Sequence, residues 1–548
     1  MTKKFKQLSL FDDEQEMTKT IDGKEYSTEK IIVPKEVADN FFKYNLDFYL
    51  NDLQKYGLKT TWDYICQFVI DNSPNLPKFL NTDNFGELYE IGLAFQDKLL
   101  KKKSGQYYTP DDVALVMSKW LSEIEGEAVC DVACGTGKLI LTYLALIGYE
   151  KTRELISSGN LYLYDFDNVA LKICKTIISA KYGLDIANKI HDVFCDFLDN
   201  SILLPSNCKV ISNPPYAGID EIQDYWNHTD VLLKTKELYS SFMEKIFVQS
   251  TSAVIITPFS FISGEKFYPL RKLMCEQGQG FIVSFDNVPG NIFCGRKHGI
   301  FNTNTANSVR AAITVMEKNK AKLGYRISPL IRFKNEERKT VLNNSVLMSM
   351  LPEEYQVIDN KHRSFEKVFK NLIPVFERWK KSSNQCVKDI VTKDDNGLLI
   401  DMPNTCRYFT TASTKKLKRG GSIVMYAKDE EMYDFLYCFI NSSFTYWWWR
   451  IYDGGITYPS SLLMSMPIIT LNDEDRTFFK KMRIEMAKHE KDYVVTKVNA
   501  GVIQENIKFP EKYRNEINKH LLKMLEMNVE PEVFDLVHAN SFSKEQMR

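Results

Sequence analysis

Ala128-Val129-Cys130-Asp131-Val132-Ala133-Cys134-Gly135-Thr136-Gly137-Lys138 opens on an apolar run, turns through two glycines and leads into Leu139-Ile140-Leu141-Thr142-Tyr143-Leu144. Strand, glycine turn and helix in that order form the unit that a nucleotide-like ligand requires, because glycine permits positive φ and lets a ligand approach the backbone. A phosphate-binding P-loop competes for the same stretch, but it needs glycine at 132 and Ser or Thr at 139. Val132 and Leu139 stand there instead.

A second stretch gives the turn a purpose. Asn207-Cys208-Lys209-Val210-Ile211 reads as a strand, and Asn213-Pro214-Pro215-Tyr216 ends it, since two prolines cannot continue a ladder. The amide of Asn213 and the carbonyl of Pro214 are thereby pushed out at a sheet edge, where open α/β folds bind ligands. Two acceptors and the Tyr216 ring suit an exocyclic amino group on a flat heterocycle. Taken alone, the four residues read equally well as a plain turn.

In this order the two motifs resemble the gamma-class DNA amino-methyltransferases, which methylate N6 of adenine from S-adenosyl-L-methionine. Gly105-Gln106-Tyr107-Tyr108-Thr109-Pro110 is similar to that family's opening cofactor motif, as written in type I modification subunits. The resemblance implies cofactor contacts at Tyr107, Tyr108, Thr109, Asp131, Ala133, Gly135, Gly137 and Asn213. Leu161 to Asp167 looks like the strand whose acid, Asp165, accepts the ribose hydroxyls. Cys195-Asp196-Phe197-Leu198 resembles the segment that receives the cofactor's adenine amino group, through Asp196 and Phe197. Catalysis is assigned by the same likeness to Asn213, Pro214, Pro215 and Tyr216, with Phe293 or Phe301 packing on the second face of a flipped base. Ile255 to Ile262 and Arg271 resemble the strand and helix that follow the catalytic turn.

The fold class expected is α/β: a doubly wound, Rossmann-like methyltransferase sheet over 104–320. A helical domain at 31–103 is expected before it, and a mixed target-recognition domain at 321–470 and a helical segment at 471–548 after it. Residues 548 in number exceed the usual limit of one core, so several domains are required. Positive and negative residues balance at 71 each, so attraction to double-stranded DNA must be local. Lys415, Lys416, Lys418 and Arg419, beside two glycines, are the candidates for phosphate contact, with a solvated loop as the alternative. Trp447, Trp448 and Trp449 read as a buried helix end, because consecutive helical positions cannot face one base.

Eleven cysteines without a Cys-x-x-Cys pair suggest no metal site and fit a reducing, cytoplasmic setting. No apolar run is long enough to span a bilayer, so no membrane is expected. Gln7, Leu10 and Phe11, in a polar tail over 1–30, resemble the peptide that docks on a DNA sliding clamp; those side chains could equally tuck against the protein's own surface. No nuclease segment is evident in the first 100 residues, so any endonuclease would be a separate protein, and a specificity subunit is left open as a further partner. Methylation of a protein glutamine or of an RNA base, and a catalytically inactive DNA-binding subunit, are the competing functions. The long chain after Met316 favours DNA over the first two, and intact Gly135, Gly137, Asn213 and Tyr216 count against the last.

Overall fold

The computed structural model describes residues 19–21, 24–26, 109–293, 309–318, 324–499 and 502–542. Two short strands, β1 (Lys19–Ile21) and β2 (Lys24–Tyr26), pair as a hairpin. The expected helical domain at 31–103, the tail residues Gln7, Leu10 and Phe11, and Tyr107, Tyr108 and Phe301 lie outside the described residues. The chain divides into two compact units. The first ends at Tyr325 and omits 260–268 and 283–289, which belong to the second with Arg326 onward.

An eight-stranded sheet is formed by β3 (Ala128–Val132), β4 (Leu161–Asp165), β5 (His191–Phe194), β6 (Cys208–Ser212), β7 (Ser252–Pro258), β8 (Gly278–Phe285), β9 (Ala311–Lys318) and β10 (Gly324–Ile331). Their order is β10-β8-β9-β7-β6-β3-β4-β5. Strands β5, β4, β3, β6 and β7 are parallel, and β9 enters antiparallel beside β7. Burial follows from position. β3 and β6 are buried along their whole length, as strands covered on both faces must be, and the outermost strand β5 is half open. The alternation of strand and helix read from 104–320 is thus realised as an α/β sheet whose order reverses between β3 and β6.

Lys209 sits within buried β6, where a free ammonium would be costly. It donates instead to Leu121 O at 3.1 Å, in the last turn of α1 (Asp111–Glu123), where helix carbonyls carry partial negative charge. Burial nevertheless pulls its pKa below the usual lysine range. This lysine fastens the first helix to the central strand.

The second unit carries a three-stranded antiparallel sheet of β11 (Val391–Thr392), β13 (Ser422–Ala427) and β12 (Leu399–Pro403), and a hairpin of β14 (Val494–Asn499) with β15 (Val502–Ile507). Four longer helices pack in it: α2 (Glu430–Ile440), α3 (Ser443–Tyr452), α4 (Asp473–His489) and α5 (Glu511–Met524). Asp429, Ser442 and Asn472 cap the first three of these by accepting from backbone N–H groups. Trp447, Trp448 and Trp449 are all buried in α3, as the reading of a buried helix end requires. Trp447 lies parallel to Trp379 with ring centroids 5.9 Å apart.

The division expected at 470 is not found. Phe479, Met482, Ile517, Leu521 and Phe534 share one apolar core with Trp379, Phe439 and Trp447, so 471–542 closes the same core as the residues before it. Charged helical patterning marked only the outward faces of α4 and α5, and their inward faces complete the unit.

Candidate active site at the strand reversal

Ser212, the last residue of β6, is the register partner of Val132, the last residue of β3. Its hydroxyl donates to Val132 O at 2.6 Å. The glycine turn and the Asn-Pro-Pro-Tyr turn therefore leave the sheet side by side, at the carboxyl ends of the two strands between which the order reverses. Open α/β sheets take ligands at such a switch point.

The glycine turn is held from beneath. Ala133, Gly135 and Gly137 have positive φ of 60°, 52° and 92°, and Cys134 N donates to Tyr164 O at 3.1 Å. A side chain on Gly137 would run into Cys174 Sγ, whereas the space beside Gly135 is open. That open side is where a ligand can lie against the backbone. The helix following the turn, Lys138–Ile147, is fixed by Asp131, whose Oδ2 accepts from Ile140 N at 3.1 Å. Asp131 Oδ1 is buried without a hydrogen-bond partner among the described residues. Burial drives the Asp131 pKa well above the usual carboxylate range, and the Asp165 charge adds to it.

Asp165 closes the other side. It accepts from Gly135 N at 2.6 Å and from Asp167 N at 2.7 Å. Burial pushes its pKa up to about 6, although these amide donors work against the rise. Phe166, next in sequence, is 79% exposed. Sequence reading passed over Phe166, although an aromatic directly after a strand-ending acid was visible. Phe197, expected to line a cofactor site, is 3% exposed, because Tyr164, Phe242 and the Lys245 ammonium enclose its ring. Phe166 is the aromatic that stands open. Asp196 accepts from Leu198 N, Tyr225 and Trp226.

In the second turn, the Asn213 amide nitrogen donates to Thr109 Oγ1 at 3.0 Å, which fixes the amide's orientation. Pro214 is buried and Pro215 half-buried. Tyr216 is anchored at its hydroxyl, which donates to Ile256 O on β7 at 3.1 Å. The ring of Phe293 lies 5.9 Å from that of Tyr216, at 63° between planes. Phe293, one of the two aromatics expected on the second face of a flipped base, thus lies beside Tyr216. They meet edge to face, the arrangement that aromatic quadrupoles favour.

The basic stretch of the second unit is split. Lys415, Lys416 and Lys418 are exposed, but the Arg419 guanidinium is buried against Asp401 Oδ2 at 2.6 Å. Arg419 is thus corrected from a phosphate contact to an internal one, since a buried carboxylate demands its charge. Gly420 N is likewise taken, by Gln504 Oε1.

An S-adenosyl-methionine-like ligand fits the first-unit site. Three carboxylates and an open glycine backbone suit a molecule with a sulfonium cation, ribose hydroxyls and an amino-bearing base. Among the described residues there is no group of side chains suited to hold a metal ion, and no helix long and apolar enough to cross a membrane.

The family described as N-6 DNA methylase matches residues 80–400. The methylase subunit of the type I restriction enzyme MpnII of Mycoplasma pneumoniae is 24% identical over 264 residues, which is 44% of this chain and 45% of that protein. The type II methyltransferase M.VspI of a Vibrio species is 28% identical over 140 residues, covering 25% of this chain and 31% of the other. The chain thus spans less than half the length of these curated relatives. Among solved structures, a nuclease-deletion mutant of the type ISP restriction-modification enzyme LlaGI, in complex with a DNA substrate mimic, covers 93% of this chain and 69% of its own at 10% identity and a TM-score of 0.44. With its matched residues running through both turns and the whole parallel sheet, the chain belongs to the N-6 DNA methylase family.

Proposed function

We propose that this protein transfers a methyl group from S-adenosyl-L-methionine to N6 of an adenine extruded from double-stranded DNA. The observation that carries the reading is the pairing of Val132 with Ser212, which brings the open glycine turn and Asn213 to one edge. Methyl transfer needs a donor carbon and an acceptor nitrogen in line, and that alignment is worth a large share of the barrier.

The bound cofactor would supply an electrophilic methyl group, held by Gly135, Asp165 and Asp196. The remaining work falls to the chain. Extruding an adenine costs about a few kcal/mol, which stacking of roughly 1–3 kcal/mol per base on Tyr216 helps to offset. Anchoring of the Tyr216 hydroxyl to Ile256 O lowers the entropy lost in holding that ring. The Asn213 side-chain oxygen and the Pro214 carbonyl would accept the two amino hydrogens, drawing the nitrogen lone pair out of conjugation. Thr109, by taking the Asn213 amide nitrogen, leaves the oxygen as the end that serves the substrate. Neither acceptor needs to act as a base before attack.

Exposed Lys415, Lys416 and Lys418 are proposed to meet DNA phosphates, and an endonuclease or specificity subunit would be a separate partner. Asn213→Ala is expected to lower methyl transfer at least a thousandfold while cofactor binding, read by calorimetry, persists. Turnover within tenfold of wild type would defeat the assignment.

A further inference from the structure

The segment after the catalytic turn does not wander. At its base Ile219 N donates to Lys236 O at 2.8 Å and Leu238 N to Ala217 O at 2.9 Å, and Gly218 pairs with Glu237. Residues 220–229 then reach to the far side of the sheet edge and land on the turn that follows β5. There Asn200 N donates to Tyr225 O at 3.1 Å, and Asp199 pairs with Trp226. The landing site is firm, because Lys245, on the helix Leu238–Gln249, donates to Phe197 O at 2.7 Å and Asp199 O at 2.6 Å.

Two side chains of this segment converge on one atom. The Trp226 indole N–H donates to Asp196 Oδ2 at 2.7 Å, and the Tyr225 hydroxyl donates to the same oxygen at 3.1 Å. Leu198 N donates to Oδ1 at 3.0 Å. A carboxylate offers about four lone-pair directions. Three are thus filled, and one remains. Trp226 keeps its ring half-buried while Tyr225 is 48% exposed, so the indole is the firmer of the two anchors.

We propose that Trp226 and Tyr225 are positioning residues that set the base specificity of the methyl-donor site, by turning the one remaining acceptor direction of Asp196 toward a 6-amino group. This rests on the methyl-donor reading above. A donor with a 6-amino purine completes the carboxylate's shell. A 6-oxo purine brings a second acceptor against it and is rejected, because two facing acceptors repel and the carboxylate's remaining direction gains no hydrogen bond. Since Tyr225 and Trp226 lie on the same segment as the base-binding turn, donor occupancy and the path of residues 217–229 are linked.

The test measures calorimetric affinity of the full chain for S-adenosylhomocysteine and for its 6-oxo counterpart, S-inosylhomocysteine. Wild type is expected to prefer the amino form by at least a hundredfold. Trp226→Phe keeps the ring and removes only the N–H. It should bind the amino form about tenfold more weakly and discriminate at least tenfold less, and Tyr225→Phe should do the same to a smaller degree. A merely structural role would weaken both ligands equally and leave their ratio intact. That outcome, or unchanged binding in both variants, overturns the inference while the donor reading stands. Failure of wild type to bind either ligand overturns the donor reading and this inference together.

Discussion

Asp286 and Asp401 in the second unit face arginine: Arg332 Nε and Arg450 Nη1 lie 2.8 and 2.7 Å from Asp286 Oδ2, and Arg419 lies 2.6 Å from Asp401. Asp131, Asp165 and Asp196 in the first unit accept from backbone N–H groups and uncharged side chains, and none forms an ion pair among the described residues. Asp131 of the first unit and both acids of the second are buried, while Asp165 and Asp196 are half-buried. The difference teaches what each is for. A carboxylate closed by guanidinium has spent its capacity on the fold, whereas one held only by neutral donors can still serve a cation, a hydroxyl or an amino group.

The sharpest break in this comparison is expected at Asp286. Removing it as Asp286→Ala strands two buried arginines, and loss of one partner of a buried pair costs about 3–5 kcal/mol. Urea unfolding followed by tryptophan fluorescence should show that loss, and a decrease under 1 kcal/mol would mean the cluster is not structural.

Asp165 should behave in the opposite sense. An acid whose folded pKa is raised to about 6 favours a protonated native state. Its contribution is fully present below about pH 4 and is lost as pH rises through about 6. Asp165→Asn is therefore expected to stabilise the ligand-free protein at pH 7 by on the order of 1–2 kcal/mol, and to lose that advantage by pH 4. The same variant should bind S-adenosylhomocysteine at least tenfold more weakly. A variant less stable than wild type at pH 7 would contradict the contrast drawn between the two sets of acids.

The smallest effect is expected on the surface of the second unit. Lys416 is exposed where Arg419, three residues on, is locked. Lys416→Ala should leave unfolding within about 0.5 kcal/mol of wild type. If Lys416 meets a phosphate, the substitution should also reduce the salt slope of DNA binding by about 1. An unchanged slope would remove Lys416 from the interface.

Much of the first unit was legible because its signals are local. A glycine turn between a buried strand and a helix, and a proline pair ending another strand, fix backbone conformation within a few residues, and the register of β3 with β6 then joins them. What escaped depends on contacts distant in sequence. Trp226 lies 30 residues from Asp196, in a stretch that carries no motif. Arg419 reads as a cation among cations until Asp401 is seen beside it, 18 residues away. Phe293 was placed near Tyr216 by resemblance, but the angle between the rings is a matter of packing that no motif encodes. The second unit's single core was obscured for the same reason, since polar faces of α4 and α5 dominate their composition.

The ladder between Val132 and Ser212 also bears on how such a protein can be retargeted. Backbone hydrogen bonds, indifferent to side-chain identity, set the span between the two chemistries, so residues on the acceptor side other than those of the 217–229 segment can be rewritten without moving the donor turn. Shifting β6 by one position would do what no loop graft does: it would invert every inward and outward side chain of that strand and swing Asn213 to the opposite face of the sheet.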